Sequence, residues 1–268
     1  MIARPLATLL FLLLAAAPVR AAPCGGSFDT FLSAMARDAE SAGVSRSVVD
    51  RAFAGLTPDA KVLAFDRRQH ATFQQSFERY ASTRVTASRI RRGRAMLKRH
   101  AALLARVERR FGVPAPVLVA IWGLESDFGT GDMGKLSVIR TLATMGNDCR
   151  RSDLFQRELI AALRIVQRGD LPLRDLVGAN AGEIGQTQFL PSSYIKYGVD
   201  FDGDGRVDLR HSAADVLAST ANLLKTNGWQ AGQPFEEGTA NFDAMREWNR
   251  AEVYRKTIVL FAQRLAGG

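Results

Sequence analysis

Four stretches of the 268-residue chain hold side chains whose types and spacing could do chemistry. In Ala120-Ile121-Trp122-Gly123-Leu124-Glu125-Ser126-Asp127-Phe128-Gly129, one glutamate closes an apolar run that Gly129 stops. On a helix, Glu125 shares a face with Ile121 at i−4 and Trp122 at i−3. Apolar surroundings disfavour the charged form of a carboxyl and raise its pKa, which is what a general acid needs at neutral pH. The same pattern fits an ordinary surface glutamate near a helix end. In Gly182-Glu183-Ile184-Gly185-Gln186-Thr187-Gln188-Phe189-Leu190-Pro191-Ser192-Ser193-Tyr194, glycines let backbone approach a ligand, while Gln186, Gln188 and an aromatic suit hydrogen bonding to and stacking on neutral sugars. Read blandly, it is a polar loop ahead of a helix opened by Pro191. In Asp200-Phe201-Asp202-Gly203-Asp204-Gly205-Arg206-Val207-Asp208, three carboxylates at spacing two, with glycine in sixth place, match the start of an EF-hand calcium loop. Arg206 in seventh place would offer its carbonyl. His211 stands in twelfth place where a glutamate belongs, so the standard loop fails there, and Asp215 is the nearest substitute carboxylate. Carboxylates this close repel unless a cation sits among them, which favours a structural Ca2+ clip over a metal-free turn. Finally, Trp248 and Tyr254, with Asn249 and Arg250 between them, fit either a sugar platform or two core aromatics of a helix.

The elements that must position these residues read as mainly α. Helical spacing marks Phe28–Met35, Val48–Phe53, Gln69–Tyr80, a long helix over Ile90–Phe111, Ser137–Met145, Ser152–Gln167, Ala213–Asn227 and about Arg250–Leu265. In the long helix Leu97, Ala101, Leu104 and Val107 form an apolar stripe opposite a basic face of Arg91, Arg92, Arg94, Lys98 and Arg109. The segment holding Val62, Leu63, Phe65 and Asp66 reads as extended or irregular, and loops concentrate between Leu171 and Arg210. At the N-terminus, Arg4, an apolar run over Leu6–Ala17, Pro18 and Val19-Arg20-Ala21 follow the order of a secretory signal. The run is too short to span a bilayer, and Pro23 before Cys24 argues against a lipid anchor. We therefore expect cleavage after Ala21 and a soluble, exported protein. Export puts the two cysteines, Cys24 and Cys149, in an oxidising compartment, where a disulfide between them is expected over two separately buried thiols. Two cysteines exclude a four-thiolate zinc site, and three histidines argue against a histidine-rich metal centre. Net charge is +9, or +7 once residues 1–21 are gone. No nucleic-acid motif accompanies it. Outside a bacterial inner membrane the anionic polymer is the cell wall.

These segments, in this order and joined by Leu142-Ala143-Thr144 and Asp148-Cys149-Arg150-Arg151-Ser152-Asp153-Leu154-Phe155, resemble the lytic murein transglycosylase B family over about Phe28 to Leu265. The resemblance implies a lysozyme-like α core with an EF-hand-like calcium loop. It also implies cleavage of the β-1,4 bond between N-acetylmuramic acid and N-acetylglucosamine in periplasmic peptidoglycan, with no cofactor for the chemistry. The expected layout is a helical region over 22–110, a catalytic core over 111–235, and a segment over 236–268 that packs back on both. Carried across by motif, Glu125 is the sole catalytic acid, and Gln188 and Gln186 line the sugar cleft. Arg150 and Arg151 face the anionic side of the muropeptide, and Trp248 and Tyr254 return to the active site. Asp200, Asp202, Asp204, the Arg206 carbonyl and Asp215 hold Ca2+. The chain departs from the family's pattern at Asn180, where an aromatic is usual, and at Glu183 and Ile184, where Ala and Met are common. A single carboxyl implies protonation of the glycosidic oxygen followed by attack of the muramic C6 hydroxyl on C1. Ordinary glycosidases need two carboxylates, so a hydrolysing muramidase using Asp127 or Glu183 stays open, as does a non-catalytic wall-binding protein.

Overall fold

The computed structural model describes residues 22–68 and 76–267. The secretory segment read at 1–21, and the first part of the helix read over 69–80, lie outside the described residues. In chain order the helices are α1 (Phe28–Ser41), α2 (Arg46–Phe53), α3 (Ala60–Arg68), α4 (Phe77–Arg84), α5 (Ala87–Arg99), α6 (Ala101–Phe111) and α7 (Ala115–Ser126). They continue with α8 (Val138–Asn147), α9 (Ser152–Arg168), α10 (Pro191–Tyr197), α11 (Ala213–Thr226), α12 (Ala240–Ala244) and α13 (Glu252–Ala266). The only sheet among the described residues is an antiparallel pair of two-residue strands, β1 (Leu136–Ser137) and β2 (Val177–Gly178).

α7 is the hub. It is apolar all round, and a helix of that kind must be buried on every side. Accordingly Val117 through Gly123 are buried, and α5, α6, α11 and α13 pack around it. Gly123 permits the closest approach: a Cβ there would sit 2.6 Å from the Phe128 ring and 2.9 Å from Phe261. Each buried Val, Leu or Ile contributes about 1.5–3 kcal/mol, so the helix is fixed strongly enough to hold a partly desolvated carboxyl in its last turn. A second hub is the pair α8 and α9, with α1, α2 and α10 against α9 and α3 against α8. The turn between α8 and α9 carries the expected disulfide, Cys24–Cys149, with Cα atoms 5.2 Å apart. Beside it Gln156 accepts from the Ala22 amide at 2.9 Å and donates to the Ala22 carbonyl at 2.8 Å.

Three elements differ from the sequence reading. Of the helix read over Gln69–Tyr80, the described part is α4, which starts at Phe77 after the extended N-cap Ser76 and runs on to Arg84. The segment around Val62 is a helix, α3, rather than extended or irregular chain. It buries only Val62, so it has no apolar stripe for a periodicity reading to detect. The helix read over Ile90–Phe111 is two helices meeting at His100, whose φ of −105° and ψ of 19° break the run. Leu104, Val107 and Phe111 are buried, but Ala101 is exposed and Leu97 only half-buried. The stripe fails because α5 packs on α7 and α13 while α6 packs mainly on α11. Nor is the basic face simply solvated, since Arg94 donates to the carbonyls of Arg264 at 2.7 Å and Gly267 at 3.0 Å. No helix among the described residues is long and apolar enough to cross a membrane.

Candidate active site

Glu125 lies in the last turn of α7, beside a chain reversal in which Asp127 and Phe128 both take the left-handed conformation, at φ 55° and 63°. A non-glycine residue in that region costs free energy. Arg89 offsets part of it by donating to Asp127 at 3.0 Å, and Arg92 donates to both Asp127 carboxylate oxygens, at 2.5 and 2.6 Å. Burial alone would raise the Asp127 pKa, but the two guanidiniums outweigh it and hold the carboxyl below its usual range. Asp127 is thereby a structural anion. It lines a cavity of about 300 Å3 that Glu125 does not border.

Two donors from the C-terminal segment reach Glu125 across more than 120 residues of sequence. Trp248 Nε1 donates to Oε1 at 3.0 Å, and the Tyr254 hydroxyl donates to the same oxygen. Tyr254 stands in the first turn of α13, which packs along α7. Burial, with the adjacent Glu125 charge, pushes the Tyr254 hydroxyl far above its ordinary pKa, so it stays a donor. The Tyr80 ring meets Tyr254 edge-on at 6.4 Å and carries the Arg84 guanidinium 3.6 Å from its centroid. For Glu125 burial is the largest influence. It outweighs the two donors, and with added repulsion from Glu183 it pushes the carboxyl from 4.5 up to about 7. A carboxyl raised toward neutrality can keep a proton to donate at neutral pH, which suits a general acid.

A cleft of about 360 Å3 opens over Glu125, with Arg151, Glu183, Gln188, Ser193 and Trp248 on its walls. Gln188 adopts a left-handed φ of 54° and is tied to the Gly185 carbonyl through its own side-chain amide at 2.7 Å. Gly185 itself must be glycine: its φ is +80°, and a Cβ would lie 2.2 Å from the Leu209 carbonyl oxygen. Gln186 faces the other way. Its Oε1 accepts from Trp122 Nε1 and its Nε2 donates to the Arg210 carbonyl, each at 2.8 Å. It lines the Asp127 cavity, not the Glu125 cleft. The structure therefore brings together Glu125, Gln188, Arg151, Trp248 and Tyr254, and uses Gln186 to lock the loop onto α7. Arg150 points beside the cleft, toward Asp66 and Asp148.

Asp200, Asp202 and Asp204 bring carboxylate oxygens within 4.8 Å of one another. Arg206 directs its side chain onto Asp204 at 3.1 Å. Asp215 is fully buried, and its two oxygens accept the loop amides of Phe201 and Asp208, each at 2.8 Å. Asp215 thus ties the two ends of the loop together from beneath and is not part of the cluster formed by Asp200, Asp202 and Asp204.

Sequence reasoning missed several neighbours. Glu247 flanks Trp248 on the cleft wall, as does Asn249, which the sequence already places in the platform, and Leu154 and Phe155 line it from α9. Glu247 was accessible as the immediate neighbour of a candidate platform. Tyr80 and Arg84 carried no signal, because only the folded chain sets α4 against α13.

Residues 27–238 match the family described as the transglycosylase SLT domain. The chain belongs to the transglycosylase SLT family. It is 36% identical over 156 residues to the membrane-bound lytic murein transglycosylase B of Escherichia coli, an alignment covering 58% of the chain and 42% of that protein. The chain thus spans less than half the length of this relative. SltB3 from Pseudomonas aeruginosa, solved in complex with NAG-anhNAM-pentapeptide, is 34% identical and superposes with a TM-score of 0.84, over 91% of this chain and 80% of SltB3. The E. coli lytic transglycosylase Slt35, solved in complex with calcium, shares the fold at 24% identity and a TM-score of 0.77, over 89% of this chain and 92% of its own. The resemblance read from the ordered motifs is borne out, and the mainly α, lysozyme-like architecture is that of the SLT family.

Proposed function

We propose that the protein is a peptidoglycan lytic transglycosylase in which Glu125 is the only acid and base. The observation that carries this reading is the Glu125 carboxyl at the cleft, held by Trp248 and Tyr254 and pushed upward in pKa by burial. Protonated Glu125 delivers its proton to the glycosidic oxygen as C1 of the muramic acid gains oxocarbenium character. The substrate's N-acetyl oxygen stabilises that cation. The resulting carboxylate then takes the proton of the C6 hydroxyl of the same sugar, and O6 closes on C1 to give a 1,6-anhydro end without water. Because the attacking hydroxyl belongs to the substrate, proximity supplies much of the acceleration. Gln188 and Ser193 offer hydrogen bonds along the sugars, and Trp248 offers a face beside Phe189, whose ring it meets edge-on at 5.4 Å. SltB3 has been solved with both NAG-NAM-pentapeptide and NAG-anhNAM-pentapeptide, which supports a substrate and product of this kind. The net charge suits an anionic wall, and the secretory pattern read at 1–21 supports a periplasmic location.

Mass analysis of digested peptidoglycan tests the mechanism. Anhydro ends, one water lighter than reducing ends, are expected. Reducing ends would favour the second reading, hydrolysis, for which Glu183 is the candidate base because it lines the same cleft and its charge bears on Glu125. Under the first reading Glu183 only tunes the acid. Removing its charge in Glu183→Gln lowers the Glu125 pKa, so the alkaline limb of the kcat/KM profile moves to lower pH by a fraction of a unit. A fixed limb counts against that role.

The carboxylate cluster fits a hard divalent cation. In this reading Asp200, Asp202, Asp204 and the Arg206 carbonyl hold Ca2+, Asp215 supports the loop from beneath by accepting its amides, and the ion neutralises the cluster and takes no part in catalysis. The loop feeds directly into the site, since the Leu209 carbonyl accepts the Gln186 amide at 2.8 Å. Saturation at a hundred times Kd adds about 2.7 kcal/mol, or a rise in Tm of roughly 5–10 °C. Melting curves with calcium and with chelator check this, and Asp202→Asn should abolish the difference.

A further inference from the structure

We propose that Asp66 is a positioning residue that sets a preference for peptide-bearing over peptide-free glycan strands, by holding the Arg150–Arg151 pair at the edge of the cleft. The inference rests on the transglycosylase reading above and concerns a residue outside the motifs that led to it.

Asp66 projects from α3 toward the turn between α8 and α9, where each of its oxygens takes a different guanidinium. Oδ2 accepts from Arg150 Nη2 and Oδ1 from Arg151 Nη2. Its side chain is 9% exposed, whereas those of Arg150 and Arg151 are 41% and 49% exposed. The anion is therefore the fixed member, and the cations are the members that solvent and ligands reach. α3 is itself anchored. Val62 is buried, the Asp59 amide donates to Thr144 Oγ1 at 3.0 Å, and Arg140 grips the Thr57 and Pro58 carbonyls at 2.7 and 3.1 Å.

Arg151 is held on a second side by Phe155, whose ring centroid lies 4.9 Å from the guanidinium carbon. Only Arg151 of the pair borders the Glu125 cleft. One Nη2 is spent on Asp66, and the remaining N–H groups of that planar fork stay available to a bidentate anion. Arg150 is spent further, through Nε on Asp148 Oδ2 at 3.5 Å. Two adjacent guanidiniums repel. Without the bridging carboxylate Arg151 would leave Arg150 and the cleft wall for solvent and lose its pre-organised orientation. The ligand chemistry such a fork recognises is a carboxylate. In peptide-bearing strands the muramic lactyl carboxyl is tied up in the amide to the stem peptide, so the free carboxylates are those of the stem peptide, while the glycan backbone is neutral. Orientation of Arg151 therefore bears on strands that carry peptide and leaves untouched a glycan that carries no free carboxylate.

The test compares peptide-bearing strands with amidase-stripped strands whose freed lactyl carboxyls are capped as amides, as substrates for the whole protein. In Asp66→Asn, which keeps the shape but not the charge, KM for peptide-bearing strands should rise on the order of tenfold, the scale of one oriented charge-assisted hydrogen bond. The selectivity ratio in kcat/KM falls by the same factor. Arg151→Ala should lose the ratio equally, and the double variant should be no worse than Arg151→Ala alone. An Asp66→Glu variant should recover part of the ratio. If Asp66→Ala fails to fold, Asp66→Asn still carries the comparison. Equal losses on both substrates, an unchanged ratio, or additive effects in the double variant would each overturn the proposal. A wild-type protein that cleaves neither substrate overturns the transglycosylase reading and this inference with it. Cleavage of both with an unaltered ratio in the variants overturns only the inference.

Discussion

The Glu125→Gln variant is expected to lose at least about a thousandfold in kcat while melting no lower than the parent protein. General acid–base assistance contributes roughly 10²–10⁴-fold, and here one group serves both proton transfers. Glutamine keeps an oxygen to accept from Trp248 and Tyr254, so the cleft retains its shape. Stability should shift in the opposite sense to activity. The Glu125 carboxyl is raised on folding from 4.5 to about 7. Between those values the unfolded chain releases a proton that the folded chain retains, so the wild type loses stability as pH climbs through that window. Below about pH 4.5 the group costs nothing, and above pH 7 the full cost is present. Glutamine carries no such cost. The difference in Tm, variant minus wild type, should therefore grow from pH 5 to pH 8. Melting curves at the two pH values, together with turbidity assays on purified sacculi, check both halves. A variant that clears sacculi at the wild-type rate removes Glu125 from the mechanism. A Tm difference that shrinks with rising pH would mean that the carboxylate is stabilised by its surroundings, contrary to its burial.

What could be read from the sequence follows from which distances are local. Glu125 and Trp122 lie one helical turn apart, so an acid in an apolar setting was visible in ten residues. Trp248 and Tyr254 were visible as a pair, but their convergence on one oxygen of Glu125 is not, because it depends on α13 packing against α7 across more than 120 residues of chain. Gln186 and Gln188 illustrate a different limit. Residues two apart share a face only on a regular strand, and here the left-handed backbone at Gln188 sends the two amides to opposite sides of the loop. Asp66 was hidden for a third reason: its helix buries a single side chain, so the pattern that marks helices never forms. The break at His100 has the same origin in reverse. The apolar spacing continues through it, but the two halves answer to different packing partners, and tertiary contacts override local propensity.

The Asp66 contact depends on the turn at 148–151, which suspends Arg150 and Arg151 between α8 and α9 and is stapled to the N-terminal segment. Reducing Cys24–Cys149 is accordingly expected to destabilise the protein by about 2–5 kcal/mol. The bridge joins residues 125 apart in sequence. Chain-entropy reasoning for a loop of that length points to the upper end of the range, since the reduced unfolded chain regains the freedom that the closed loop denied it. Against a total stability of about 5–15 kcal/mol this is a large fraction, and it corresponds to a fall in Tm of roughly 5–15 °C. The folded state should survive reduction at ambient temperature. Gln156 still clamps both backbone groups of Ala22, and the Gly25 amide still donates to the Asn147 carbonyl at 2.9 Å. Three hydrogen bonds are fewer constraints than a covalent link, so residues 22–27 should fray first and the arginine turn with them. Activity on peptide-bearing strands should then fall before global unfolding begins. Melting curves with and without a thiol reductant give the stability, and hydrogen exchange at 145–152 gives the local effect. The Cys24→Ser variant should match the reduced wild type, and Cys24→Ser with Cys149→Ser should be no less stable than either. A Tm that moves by less than about 1 °C on complete reduction would mean that the N-terminal segment is held by packing alone, and that the disulfide acts neither on the unfolded chain nor on the turn beside the cleft.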